Sequence, residues 1–236
     1  MIKIENTEVY GWEAAIRGMR NPMNSWDKSD TELTISTQYF GNVSTRRTEI
    51  CIGKKDFALM KTLVEAGTDH RKFLRMVNVT VDITAPLYWW KEFDTYKVGT
   101  VRDSCSTMHK ITAKEFELSD FSREHLITLD YQHYTILDTE ELERIELQTA
   151  SLEILRVIIQ ALNNYRNLYL KTKDKKHWWQ IIQLLPSSYN QRATVQLNYE
   201  VLLNMYHSRK NHKLDEWRTF CEWIESLPYM GEFLNV

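Results

Sequence analysis

The chain has 236 residues, of which 43% are hydrophobic, and this is enough for one large domain with a buried core. Its net charge of −2 argues against a general surface for duplex nucleic acid, because such surfaces carry a basic excess. No run approaches the roughly 20 apolar residues that span a bilayer, and the N-terminus lacks an apolar signal core, so we expect a cytoplasmic protein without a membrane partner.

The N-terminal part of the sequence predicts several short elements. Gly53 precedes and Gly67 follows a stretch with apolar residues at helical spacing, which is typical of a helix between two glycines. Residues 20–49 are polar and irregular in pattern, and we expect at most one strand there. The other elements expected in this part are a strand over 1–5, a helix over 12–19 and a short helical segment over 70–75.

Residues 76–83 form the clearest strand of the sequence. β-branched residues dominate the stretch, and apolar side chains alternate with polar ones. Pro86 then starts a helix that extends to about Phe93, because proline suits a first helical turn. The polar stretch 94–110 is predicted to be a loop, and loops that leave a strand–helix unit are common ligand sites.

The C-terminal half is predicted to be mainly helical. The longest helix is expected over 139–170, where apolar side chains share one broad face and acidic residues lie at the start. A helix of that length, with tryptophan doublets nearby, favours a homo-oligomer of closed symmetry. The elements expected after it are a helix over 174–184, a strand over 191–197, a helix over 198–209 and a final helix over 213–227. With the earlier strands, this order predicts an α+β fold.

The stretch 186–218 is the most informative for function. Its predicted helix has apolar residues for one packed face and polar residues that suit a planar, anionic ligand such as a nucleotide. Arg209 also suits the helix dipole, and Asn198 is equally compatible with an N-cap. Asn204 lies mid-helix, where asparagine is intrinsically unfavourable, and this favours a ligand or interface role.

A second candidate site is a loop rich in hydroxyl groups. Its donors suit a phosphate group, although a solvated loop has the same composition. The residues concerned are Arg102, Ser104, Ser106 and Thr107. The Trp89–Trp90 doublet fits either a core or a stacking platform for a base. The three cysteines are widely spaced and are expected to be reduced thiols, and the seven histidines form no i, i+4 pair, so no metal site is expected.

The order of elements and the residues at its end resemble the flavin-dependent thymidylate synthases, the ThyX family. In that family a Leu-Pro step leads to an Asn, then a Leu-rich helix that ends in Arg, then a His-Ala-Gln-x-Glu-Ile-Arg stretch. The matching residues are Leu185-Pro186, Asn198, Leu202-Leu203, Arg209, His212, Glu216 and Arg218.

The resemblance implies a single domain over 1–236 with a central mixed or antiparallel sheet, a long helix and a helical C-terminal part. It also implies a homotetramer with active sites between subunits, which methylates C5 of deoxyuridine monophosphate (dUMP) with methylenetetrahydrofolate and FAD. Arg209 and Ser104 are then catalytic, and Arg102, Ser104, Ser106, Thr107 and Arg209 bind the pyrimidine deoxynucleotide. The residues implied to bind the flavin are His70, Asn198, Asn204 and His212.

The sequence departs from the family at its hallmark, an Arg-His-Arg triplet followed after seven residues by Ser. Phe93-Asp94-Thr95 occupies the triplet, and Asp103 stands where the Ser is expected, with Ser104 next. Two cations that suit a flavin phosphate are therefore absent. Three interpretations stay open: a thymidylate synthase-like methyltransferase of nucleotide biosynthesis, a non-catalytic protein that binds or sequesters a nucleotide, and an assembly protein whose tryptophans build an interface.

Overall fold

The computed structural model describes residues 2–40, 43–128 and 151–236. The strands are β1 (Lys3–Tyr10), β2 (Glu32–Phe40), β3 (Val43–Cys51), β4 (Asn78–Pro86), β5 (Val101–Ser104) and β6 (Asn190–Asn198). The helices are α1 (Trp12–Arg20), α2 (Lys54–Glu65), α3 (Leu87–Phe93), α4 (Thr107–Lys110), α5 (Ser151–Thr172), α6 (Lys175–Leu184), α7 (Tyr199–Arg209), α8 (Asp215–Ser226) and α9 (Met230–Leu234). A 3-10 helix covers Arg71–Met76.

Four strands form one sheet in the order β1-β4-β6-β5, and β2 and β3 form an antiparallel pair. In β4, Val79, Val81 and Ile83 are fully buried, while the residues between them are only half-buried. This alternation is the pattern that predicted the strand. The sheet together with the helices confirms the α+β class.

The chain divides into two compact units. The first contains residues 1–3, 83–94 and 104–193, and the second contains residues 4–82, 95–103 and 194–236. Four of the five boundaries fall within strands β1, β4, β5 and β6, and the fifth follows α3. The single domain expected over 1–236 stays a prediction.

Two apolar clusters form the core of the first unit. One lies where α5 packs on α6 and consists of Ile111, Phe116, Phe121, Leu155, Ile159, Leu162 and Ile181. The other is aromatic: Trp89 and Trp90 meet edge to face at 4.9 Å, and both contact Phe93. Trp90 Nε1 also donates to the Gln191 carbonyl at 2.9 Å. The tryptophan doublet is therefore a core feature, and its interpretation as a stacking platform for a base is wrong.

A buried carboxylate organises the N-terminal part of the second unit. Asp56, near the start of α2, is fully buried and accepts hydrogen bonds from Arg20 Nε and from the hydroxyls of Ser29 and Thr31, each at 2.6 Å. The amides of Asp30 and Thr31 donate to the same carboxylate at 3.1 Å. These bonds fix the chain that leads into β2 against α1 and α2.

The structure differs from the sequence-based expectations at several elements. Residues 20–49 contain two strands or parts of strands instead of at most one. In β2, Leu33 and Ile35 stand at alternate positions, whereas β3 is built mainly from Ser, Thr and Arg, which give no apolar signal. The stretch 94–110 contains β5 and α4 besides loop, and α9 follows the expected last helix. The long helix is described over Ser151–Thr172, and the first part of its expected range lies outside the described residues.

Candidate functional site

A concave pocket of the first unit lies next to the predicted hydroxyl-rich loop. Its cavity volume is about 210 Å³. Three cations and three hydroxyl groups line it, together with one carboxylate. These residues are Lys110, Lys114, Arg192, Ser106, Thr107, Tyr189 and Asp120. Cations outnumber carboxylates in this set, so the pocket favours an anionic ligand.

Backbone pairing at the end of β5 holds the pocket wall in place. The Cys105 amide donates to the Arg192 carbonyl at 2.9 Å, and Gln191 Nε2 donates to the Cys105 carbonyl at 2.6 Å. Ser106 caps α4, because its Oγ accepts from the His109 amide at 3.1 Å. A hydroxyl that accepts a capping bond keeps its own proton, so Ser106 is still able to donate to a ligand.

The charge state of the pocket follows from its hydrogen bonds. Lys114 donates to the Asp120 carboxylate at 2.5 Å, and this bond raises the pKa of the Lys114 ammonium. Burial raises the pKa of Tyr189, assisted by the nearby negative charge of Asp120. Lys114 therefore stays charged and Tyr189 stays a neutral hydroxyl at physiological pH, which preserves the donors that an anion requires.

In the second unit, Arg209 lies between two aromatic side chains. Its Nε donates to the Tyr96 hydroxyl at 2.8 Å, and its Cζ lies 4.7 Å from the centre of the Trp217 ring and 5.5 Å from that of Tyr96. Trp217 is fully buried, so it forms a rigid wall for the guanidinium. Arg209 is thus an orientated cation, unlike a mobile arginine at a helix end.

The two asparagines of the predicted flavin set make bonds within the fold. Asn198 Oδ1 accepts from the Val201 amide at 3.0 Å, so the residue is an N-cap of α7. Asn204 Oδ1 accepts from Arg71 Nη2 at 3.2 Å. Arg71 also donates to both carboxylate oxygens of Glu200 at 2.9 and 3.1 Å. The mid-helix position of Asn204 therefore has a structural partner, and its ligand role stays a prediction.

The remaining predicted residues occupy separate positions. His70 is exposed and precedes the 3-10 helix Arg71–Met76. His212 Nδ1 accepts from the Leu214 amide at 3.2 Å. Ser104 and Arg102 are half-buried in β5, and Ser104 is not among the residues that line the pocket. Of the predicted phosphate ligands, the pocket thus contains Ser106 and Thr107.

Sequence reasoning missed the pocket cations and the partners of Arg209. Lys110 and Lys114 follow Ser106 at intervals of four, and this spacing was a usable signal. Arg192 was not recognisable, because it reaches the pocket only through the pairing of β5 with β6. Tyr96 precedes Arg209 by 113 residues, so only tertiary structure brings them together.

The four predicted flavin ligands fit the ring edge of a flavin better than its diphosphate. Asn198 and Asn204 each accept through Oδ1 within the fold and His212 accepts through Nδ1, while Asn204 Nδ2 also donates to Glu200 Oε1 at 3.5 Å. The groups that these side chains would turn to a flavin are therefore N–H donors, which suit flavin carbonyls and ring nitrogens. The set contains no permanent cation for the diphosphate, since His70 and His212 are imidazoles.

Over 2–40, 43–128 and 151–236, no three His, Cys, Asp or Glu side chains come together in a way that could hold a metal ion. In the same ranges, the helices are each too short or too polar to cross a membrane.

Comparisons with known proteins give a structural match without a sequence match. No family model matches the chain, and no curated protein sequence matches it. The structure of ThyX from Helicobacter pylori with FAD and dUMP is 17% identical, with a TM-score of 0.62, over 99% of this chain and 97% of that one. The UMP/dUMP methylase PolB from Streptomyces cacaoi, bound with 5-Br dUMP, is 13% identical, with a TM-score of 0.60, over 100% and 94%. The chain therefore has the fold of the flavin-dependent thymidylate synthases.

Proposed function

We propose that this chain binds dUMP and methylates C5 of its pyrimidine ring. The observation that carries this function is the pocket of the first unit, where three cations and three hydroxyls surround a cavity that suits a phosphate monoester. Two solved structures with this fold contain dUMP or 5-Br dUMP, which supports the same class of ligand for this chain.

We assign the phosphate to Ser106, Thr107, Lys110 and Arg192 of the pocket. Arg209 would stabilise negative charge on a pyrimidine carbonyl, because its guanidinium is already orientated by Tyr96 and Trp217. In the family that the sequence resembles, active sites lie between subunits, and we propose the same here, so that the phosphate ligands and Arg209 need not come from one copy of the chain.

In the proposed reaction, the methylene carbon of methylenetetrahydrofolate forms a bond to C5 of the pyrimidine, its bonds to the folate nitrogens break with release of tetrahydrofolate, and C5 loses its proton. A hydride then reduces the transferred carbon to a methyl group. A flavin, when bound, supplies the hydride for this reduction. We propose that the N–H donors of Asn198, Asn204 and His212 contact its ring edge, with His70 beside them. The protein's own part is to bind and orientate the nucleotide and the flavin ring.

One observation favours a second candidate function, nucleotide binding without redox chemistry. Phe93 occupies a hallmark position, yet its side chain is only 2% exposed. Its ring centroid lies 5.1 Å from that of Trp89 and 5.3 Å from that of Trp90. An arginine at that place in the family contacts flavin, whereas Phe93 offers no polar group. The same pocket would then sequester or sense the nucleotide.

Calorimetric titration with dUMP tests the binding that both candidates require. The wild type should bind saturably, and Lys110→Ala and Arg192→Ala should each weaken binding about tenfold or more, since a hydrogen bond to a charged group contributes about 1.5–3 kcal/mol. Lys171→Ala removes an exposed cation from α5 and is the matched control. No binding by the wild type would leave only the assembly interpretation, and equal affinities in all four proteins would contradict the assignment of the nucleotide to this pocket.

A product assay separates the two candidates. The protein is incubated with dUMP, methylenetetrahydrofolate and chemically reduced flavin, and the nucleotide is analysed by mass spectrometry. A methylated nucleotide supports the methyltransferase. Binding without a methylated product, under conditions where a ThyX control turns over, supports the sequestering protein and contradicts the enzyme.

The homotetramer stays part of this proposal. Several apolar side chains of α5 are exposed, among them Ile154 (48%), Val157 (64%) and Leu168 (42%), and a partner subunit would cover them. Light scattering that gives the mass of one chain at micromolar concentration would contradict both the tetramer and shared active sites.

A further inference from the structure

The loop over residues 95–100, named the Tyr96 loop below, touches both ends of α7. At the helix C-terminus, the Tyr96 hydroxyl accepts from Arg209 Nε at 2.8 Å. At the N-terminus, Gly99 packs so closely that an added Cβ would lie 2.9 Å from both Asn198 Nδ2 and Val201 Cγ2. Gly99 also has a φ of +78°, which a side chain would strain.

The loop is fixed internally as well. The Thr100 hydroxyl donates to the Tyr96 carbonyl, which closes the turn between them. The Tyr96 ring meets the buried Trp217 ring edge to face, with centroids 5.9 Å apart. The Tyr96 hydroxyl is therefore held at one place relative to α7 and α8, and it is not a freely moving surface group.

We propose that Tyr96 is a positioning residue, which orientates the Arg209 guanidinium for a pyrimidine carbonyl of the nucleotide. This inference rests on the proposed function, because it supplies the geometry for the role given to Arg209. The bond from Arg209 to Tyr96 uses Nε, and the Tyr96 and Trp217 rings flank the same guanidinium. Tyr96 thus sets the plane of the guanidinium through the atom nearest the chain.

The physical reason is the flexibility of arginine. Its side chain has several rotatable bonds, and binding a ligand with an unrestrained guanidinium costs conformational entropy. Trp217 restricts the guanidinium on one side through a ring that is fully buried, at 4.7 Å. Tyr96 supplies a directional bond in addition to this stacking. Trp217 and Tyr96 together orientate the Arg209 guanidinium before the nucleotide binds.

The first test removes only the Tyr96 hydroxyl. Tyr96→Phe keeps the ring against Trp217, so the fold is retained, and we expect the affinity for dUMP to fall about fivefold to tenfold by calorimetry. The matched control is Tyr206→Phe, which removes the hydroxyl of a tyrosine on α7 that bonds to Glu225. This variant should leave the affinity for dUMP unchanged. An unchanged affinity in Tyr96→Phe, while Arg209→Ala binds weakly, would overturn the inference and leave the proposed function intact.

A double-mutant cycle distinguishes positioning from direct contact. If Tyr96 acts through Arg209, adding Tyr96→Phe to Arg209→Ala should change the affinity less than twofold. A loss in the double variant as large as in the single Tyr96→Phe variant would mean that Tyr96 contacts the nucleotide itself, and would overturn the positioning role.

A third measurement does not depend on the nucleotide. With ¹⁵N-labelled arginine, the Arg209 Nε–H signal is identified by its loss in Arg209→Ala, and its exchange with solvent is measured. We expect exchange at least tenfold faster in Tyr96→Phe than in the wild type or Tyr206→Phe. Equal rates would overturn the inference even if dUMP binds. Faster exchange without nucleotide binding would support the orientation of Arg209 by Tyr96, but it would contradict the proposed function and, with it, the role of that orientation in binding a nucleotide.

Discussion

Replacing Arg209 tests the nucleotide site and the fold together. Sequence reasoning treats this residue as a cation at a helix end, whose removal costs only about 0.3–1 kcal/mol of stability through the helix dipole. The structure adds a hydrogen bond to Tyr96 and a stack on Trp217. Arg209→Ala should therefore affect both the affinity for nucleotide and the free energy of unfolding.

The magnitude follows from these contacts. A hydrogen bond to a charged group contributes about 1.5–3 kcal/mol, and a cation over an aromatic face about 0.5–2 kcal/mol. These terms overlap, so we expect Arg209→Ala to lose about 1.5–3 kcal/mol of stability, which a domain with about 5–15 kcal/mol tolerates. The affinity for dUMP should fall at least tenfold, about 1.4 kcal/mol.

Urea denaturation and calorimetric titration measure the two quantities on the same proteins. Arg209→Lys keeps the charge but not the planar fork, so it should recover stability better than affinity. Lys210→Ala removes the next cation at the same helix end and controls for charge. If Arg209→Ala binds dUMP as tightly as Lys210→Ala and the wild type, the role given to Arg209 is wrong.

Two other predictions concern Asp56 and flavin. Asp56→Ala leaves the buried Arg20 without its carboxylate and should lower the free energy of unfolding by about 3–5 kcal/mol in urea denaturation. Burial opposes ionisation of Asp56, but hydrogen bonds from Ser29, Thr31 and Arg20 hold its pKa below the ordinary 3.8. The stabilisation is therefore present above that pH and is lost as the pH falls through the lower, folded-state pKa. If the difference in free energy of unfolding between the wild type and Asp56→Asn grows below about pH 4, this expectation is wrong. For flavin, the loss of a charge-assisted contact costs about one to two decades in affinity. The purified protein should therefore show little absorbance near roughly 450 nm, and a stoichiometric yellow protein would refute this.

The parts of the fold that were predictable have a pattern tied to apolar burial. In β4, valines alternate with polar residues, and Asn198 is the N-cap of α7, as its capping chemistry indicates. Of the β2–β3 pair, at most one strand was expected, because Ser, Thr and Arg make up most of β3 and hydrophobic periodicity does not detect a polar strand. The β5 strand has only four residues, which is too short for any period to emerge.

The part of the candidate site that could be predicted is the loop with Ser106 and Thr107, because its hydroxyl-rich composition is visible in the local sequence. Ser106 and Thr107 line the pocket because the loop that contains them leaves a strand–helix unit, as expected. Asn204 shows the opposite case: an unfavourable mid-helix residue suggested a ligand, but its partner is Arg71, 133 positions earlier. Such a partner is decided by tertiary packing, and no local rule reveals it.

Phe93 is the residue at which the enzyme and the sequestering protein diverge. Its side chain is 2% exposed and its ring contacts Trp89 and Trp90, so an arginine there would bury a guanidinium against two aromatic rings. A single substitution to arginine would therefore disturb this aromatic core as well as add a cation. Any flavin bound by this chain must be held by other groups, and the N–H donors of Asn198 and Asn204 are the candidates. Since neutral donors bind a ring edge better than a diphosphate, weak binding of a flavin is the expected result even if the chain is an enzyme.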